Sequence, residues 1–81
     1  MPPETPPTRL DITSDLCPMT FVKTRLELEE LPDGALLEVL LREGEPLHNV
    51  TRSVEGEGHK ILSREPLDGG IWRLLIQKTN R

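Results

Sequence analysis

The sequence predicts an α+β fold: a two-layer sandwich in the order βαβαββ, with a four-stranded mixed sheet and two helices packed on one face. Three observations carry that expectation. The near-continuous apolar run Ala35-Leu36-Leu37-Glu38-Val39-Leu40-Leu41 has the length and character of a central strand. A helix-forming stretch and a short alternating segment precede it, which makes a right-handed βαβ unit with parallel strands. Toward the C-terminus, two strand-like segments flank Pro66-Leu67-Asp68-Gly69-Gly70, a loop rich in hairpin turn residues. At 81 residues the chain is one domain with one modest core.

Residues 1–8 carry four prolines and no large apolar side chain beyond the initiator, so they are expected to form an extended tail. The domain proper is expected over residues 9–78, and residues 79–81 are expected to fray. The first strand, residues 9–13, alternates Leu10 and Ile12 against Asp11 and Thr13. Ser14 and Asp15 are turn formers, and Pro18 suits a first helical position, where its missing N–H costs nothing. Cys17 then sits at about the N-cap of a helix over residues 19–31, stopped by Pro32-Asp33-Gly34. Phe21, Thr24, Leu28 and Leu31 form its core face. Met19, Val22 and Leu26 form a second apolar stripe, read either as a wide core stripe or as an exposed strip running away from the cysteine.

In the central strand, Leu37, Val39 and Leu41 are expected to meet the helices, leaving Leu36, Glu38 and Leu40 on the open face. Residues 42–46 read as a polar connection. Asn49 is the expected N-cap of a second, shorter helix that carries Val50 and Val54 inward and ends in Gly56-Glu57-Gly58. The third strand, residues 59–65, has Ile61 as its core residue, and the last, residues 71–78, turns Trp72, Leu74 and Ile76 inward, with the tryptophan as a core anchor. Asn49-Val50-Thr51 also matches a glycosylation acceptor, read as a chance match without a secretion signal.

Composition excludes several function classes. The net charge of -4 provides no basic stripe for nucleic acid. No apolar run approaches the roughly 20 residues of a membrane span, and the N-terminus lacks the order of a signal peptide, so the expected location is the cytoplasm. The single cysteine forms no internal disulfide, and no His and Cys cluster has metal-ligand spacing, so neither metal nor cofactor is expected.

Cys17 is the residue with chemistry to offer. A helix N-terminus presents unpaired N–H groups and a positive dipole end, which favour thiolate over thiol, and the thiolate is the nucleophile. The competing reading is an inert, buried, small hydrophobe. His48 and His59 are candidate bases in principle, but nothing in the sequence places either beside Cys17, and both are read as non-catalytic.

Motif and order together resemble the TusA, or SirA-like, family of small cytoplasmic sulfur carriers with a βαβαββ fold. The resemblance covers about residues 10–78. It rests on Leu10-Asp11, Leu16-Cys17-Pro18, Lys23-Thr24, Leu31 to Gly34, Leu36 to Leu41, Asn49-Val50-Thr51 and Gly58-His59, in family order. It implies that Cys17 accepts a persulfide from a donor such as a cysteine desulfurase or rhodanese and relays it to a downstream acceptor protein. Leu16, Pro18, Met19, Thr20 and Lys23 would form the supporting turn, and Val22 and Leu26 a docking strip for transient partners. The chain would be a monomer or weak dimer and a relay rather than a stand-alone enzyme. Thr20 departs from the family by standing where the second motif proline would be. Asn49 and Thr51 replace an aspartate and a proline, and Ser14-Asp15 replaces a glycine. The alternative is an interaction or regulatory module of the same fold with an incidental cysteine. A redox-sensor thiol is a third reading.

Overall fold

The computed structural model describes residues 8–15 and 19–79. Residues 1–7 of the tail expected over residues 1–8, the residues Leu16, Cys17 and Pro18, and residues 80–81 lie outside the described residues.

The elements follow in the order β1 (Thr8–Asp11), α1 (Met19–Glu30), β2 (Leu36–Arg42), α2 (Glu45–Gly56), β3 (Lys60–Pro66), a 3-10 turn (Asp68–Gly70) and β4 (Ile71–Gln77). The sheet order is β1-β2-β4-β3. β1 runs parallel to β2, with Leu10 opposite Val39, while β4 lies antiparallel to both β2 and β3. This is the expected α+β architecture with its mixed sheet. The parallel pair arises because α1 returns the chain to the sheet's starting end, and the closing hairpin inserts β4 beside β2, leaving β3 at the edge.

One apolar core joins the layers: Leu37, Val39 and Leu41 of β2, Leu74 and Ile76 of β4, Val50 and Val54 of α2, Leu28 of α1, and Ile12 just past β1. The period-two alternation of β2 selects these residues, and Leu37, Val39 and Leu41 are all fully buried. Since all nine side chains share one cluster, both helices cover the same face of the sheet.

Several elements differ from expectation for identifiable reasons. Thr8 belongs to β1, paired with Leu37, rather than to the tail. α2 begins at Glu45, four residues before the expected Asn49 cap, because Gly44 enters the helix at φ 97 and Pro46 occupies the first turn. A proline there needs no hydrogen-bonded N–H, so a segment that reads as a polar connection is the helix start. In α1 the buried ladder is Thr20, Thr24 and Leu28, with Phe21 and Leu31 only half-buried. A threonine faces the core without penalty when its hydroxyl is satisfied locally, and Thr24 Oγ1 donates to the Thr20 carbonyl at 2.8 Å.

Trp72 is half-buried and outside the core cluster. It pairs with Leu41 and Pro66 one rung from the end of the β2–β4 ladder, so alternation names its face correctly but not its depth under the helices. Ile61 is partly buried against the core rather than enclosed in it. A register shift between Ile61 and Ser63 accompanies an outward Leu62, 49% exposed, on this edge strand. Thr79, expected to fray, donates its N–H to His59 Nδ1 at 3.1 Å.

The second face of β2 is not simply open. Glu38 is 7% exposed because Arg9 of β1 and Arg73 of β4 close over it. Arg9 Nε reaches Glu38 Oε1 at 2.8 Å and Arg73 Nη1 reaches Glu38 Oε2 at 2.9 Å. Arg73 Nη2 extends the network to Glu65 of β3 at 3.4 Å, so one charge chain crosses all four strands.

Candidate functional site: the turn between the first strand and first helix

Three side chains and a backbone turn hold the chain as it leaves β1. Asp11 Oδ1 accepts from the Thr13 N–H at 3.0 Å and the Thr13 hydroxyl at 2.7 Å, a local Asx-type turn. These two bonds to its charged form, the backbone one first, hold the Asp11 carboxyl below its ordinary range. The Ile12 N–H donates to the Leu40 carbonyl at 2.9 Å and the Asp15 N–H to the Ile12 carbonyl at 3.1 Å. From the end of β2, Arg42 Nε donates to the Thr13 carbonyl at 2.9 Å. The buried Ile12 anchors the segment in the core while its flanks remain at the surface. Asp15 is the last described residue before Cys17, and Met19 is the first after it.

On the helix side, Thr20 is fully buried and its Oγ1 finds no hydrogen-bond partner among the described residues. Thr20 therefore faces the core rather than the solvent. Met19 is 44% exposed and Leu26 54% exposed, with Val22 half-buried between them, so the second stripe of α1 is a partly exposed strip rather than core. Lys23 leans back along α1, and its Nζ lies 2.9 Å from Asp15 Oδ1. That ion pair joins the two limbs of the turn across eight residues of sequence.

Of the residues singled out in the sequence, the structure gathers Met19, Thr20 and Lys23 at the start of α1. Val22 and Leu26 follow along the exposed stripe. Leu16, Cys17 and Pro18 lie outside the described residues. Asp15 was missed as anything more than a turn former, because its partner stands outside the short spacings at which helical ion pairs are read. His59 is placed at the opposite end of the sheet, beside the Lys60–Gln77 rung, and its Nδ1 is occupied by the Thr79 N–H. His48 is exposed on α2. Among the described residues, no recorded side-chain hydrogen bond or ion pair joins either histidine to residues 11–15 or 19–23. Among the described residues no group of three His, Cys, Asp or Glu side chains could hold a metal ion. Within the same residues no helix is long and apolar enough to cross a membrane.

The comparisons with known proteins converge on one group. A candidate sulfur carrier protein of Archaeoglobus fulgidus is 44% identical over 69 residues, 85% of this chain and 78% of its own length. A second candidate sulfur carrier, from Methanocaldococcus jannaschii, is 36% identical over 70 residues, covering 86% of this chain and 92% of its own. Among solved structures, a SirA-like protein of Desulfitobacterium hafniense superposes with a TM-score of 0.79 at 22% identity, covering 90% of this chain and 99% of that one. A Helicobacter pylori protein solved in solution gives 0.74 at 17% identity, again over 90% and 99% of the two chains. At those identities the structures speak for the fold alone. The family described as sulfurtransferase TusA matches residues 8–78, from the first residue of β1 to just past β4, and the chain belongs to that family.

Proposed function

We propose that the protein is a sulfur carrier whose working residue is Cys17. In the first half-reaction the Cys17 thiolate attacks the outer sulfur of a persulfide on a donor protein. The donor's S–S bond breaks, its thiolate leaves, and a persulfide forms on Cys17. In the second, the terminal sulfur of that persulfide passes to an acceptor, and the Cys17 thiolate is regenerated. The sulfur moves as a unit between thiolates, so neither step needs an external oxidant or reductant.

The observation that carries the reading is the position of the only cysteine, between an anchored strand end and the start of α1, in a chain of this family. Leu16, Pro18, Met19, Thr20 and Lys23 support the turn. The exposed Met19 and Leu26 and half-buried Val22 provide an apolar strip beside it for transient docking of donor and acceptor. The cytoplasm's reducing pool would keep the thiol available between transfers.

The test is a mass measurement. After incubation with a cysteine desulfurase and cysteine, the intact protein is expected to gain one sulfur atom, lost on treatment with a thiol reductant. Cys17→Ser is expected to gain none while keeping its melting curve, since a turn residue contributes little packing. No adduct with several donors would overturn the reading. Sulfenic acid after mild peroxide, without any persulfide adduct, would favour a redox-sensor thiol instead.

A further inference from the structure

Past the last rung of β4 the chain is held from two sides. The Gly34 N–H donates to the Lys78 carbonyl and the Lys78 N–H to the Ala35 carbonyl, each at 2.8 Å, while the Thr79 N–H donates to His59 Nδ1 at 3.1 Å. Of these ties only the one at Thr79 uses a side chain, and that side chain can take up a proton. The ring is fixed from its own backbone: Gly58 at φ 94 turns the chain out of α2, and the His59 N–H donates to the Val54 carbonyl at 3.2 Å. The His59 side chain is 9% exposed, with Nε2 4.0 Å from Glu57 Oε1. Charged groups stand around it from each adjoining element. They are Glu57 at the end of α2, Arg25 of α1 at 3.5 Å from Glu57 Oε2, Lys60 next in β3, Lys78 next to Thr79, and Asp33 in the turn that Lys78 closes.

We propose that neutral His59 is a proton-released catch on the segment that follows β4. A ring nitrogen accepts a hydrogen bond only through its free lone pair, so the Thr79 bond places the single proton of the neutral imidazole on Nε2. A second proton fills the Nδ1 lone pair, and both ring nitrogens are then donors. Turning the ring over does not restore an acceptor, because Nε2 carries a hydrogen as well. Protonated His59 and the Thr79 bond therefore exclude one another. Protonation also places a cation 4.0 Å from the Glu57 carboxylate, so the ring exchanges the chain end for the acidic side chain beside it. The segment is closed when the ring is neutral and released when it is charged, and the Lys78 bonds to the turn between α1 and β2 are its nearest neighbours. Cys17 has no part in this device, which holds whether or not the protein carries sulfur.

Nuclear magnetic resonance of the full-length, isotope-labelled protein tests it from about pH 8 to about pH 5, the range in which histidines change charge. The Thr79 amide shift is expected to move with the same midpoint as the His59 ring shifts. Its protection against hydrogen exchange should fall about fivefold as the ring becomes charged, the worth of one ordinary hydrogen bond. The Leu67 amide, bonded to the Ile71 carbonyl at 2.7 Å, is the control and should keep its protection. His59→Asn supplies a side-chain oxygen close to the place of Nδ1, an acceptor that takes up no proton in this range, so Thr79 should stay protected throughout. His59→Leu supplies no acceptor, and Thr79 should be unprotected at both ends of the range. A wild-type Thr79 amide that keeps its protection over the whole range, or that responds with a midpoint different from the ring's, would overturn the proposal even if neither variant folds. An equal acid response in His59→Asn would overturn it too, by assigning the release to another group.

Discussion

Glu38 shows how one side chain can tie a small sheet to pH. Its carboxyl lies below the ordinary 4.5, first because Arg9 hydrogen-bonds the charged form, against the opposing cost of burial, and then through the charges of Arg9 and Arg73. A depressed carboxyl contributes stability that is fully present above its unfolded value and is lost as pH falls through the folded one. The wild type should therefore lose this contribution on acidification below about pH 4.5. Glu38→Gln gives it up at every pH. We expect the variant to be less stable by about 1 kcal/mol at neutral pH, a modest figure because Arg9 is 67% exposed and the pair is screened by water. The gap should close as the pH is lowered into the acid range. Asp11 titrates in the same direction, so the quantity to measure is the difference between the two proteins' melting temperatures from pH 7 to pH 3. A constant difference across that range would show that Glu38 does not supply the linkage.

At the scale of elements, the sequence was most legible where periodicity and burial coincide. The run through β2 announced both its strand and its buried face, and Leu37, Val39 and Leu41 sit where alternation put them. The start of α2 was not legible, because its cap is a backbone conformation rather than a side chain. Gly44 adopts φ 97 and ψ -139, a region almost closed to other residues, and no side chain caps the helix. Nothing lies within 4 Å of a Cβ built there, so Gly44→Ala tests backbone strain alone. We expect it to cost about 1–2 kcal/mol, read as a lower urea midpoint at unchanged slope. Gly56, which ends α2 without a positive φ and with equally open surroundings, is the control: Gly56→Ala should be neutral or gain a few tenths of a kcal/mol. Equal losses at both positions would refute the strained-cap account. The Asp15–Lys23 pair escaped the sequence for a related reason: its geometry depends on a turn and a helix meeting in space, not on a spacing within one element.

At the scale of the molecule, a core that counts nine buried apolar side chains among the described residues must hold two helices against the sheet, without an internal disulfide, in a small domain. Its weight lies on β2, which pairs with β1 on one side and β4 on the other and meets the helices through one face. Leu37 sits at that crossing, fully buried and in register with both Thr8 and Ile76. Leu37→Ala would leave a cavity bounded by strands that cannot close in without breaking register, so the loss belongs near the middle of the range for buried leucines, about 3 kcal/mol. In a domain of this size that corresponds to a fall of roughly 12–24 °C in melting temperature. Leu62, equally apolar but 49% exposed where the β3 register shifts, buries too little surface for a comparable effect. Its alanine variant should stay within about 0.5 kcal/mol of wild type. Thermal melts of the two variants decide whether stability follows burial under the helices. If Leu62→Ala fell as far as Leu37→Ala, the exposed edge of β3 would have to be covered in solution, and the core would extend beyond the single chain.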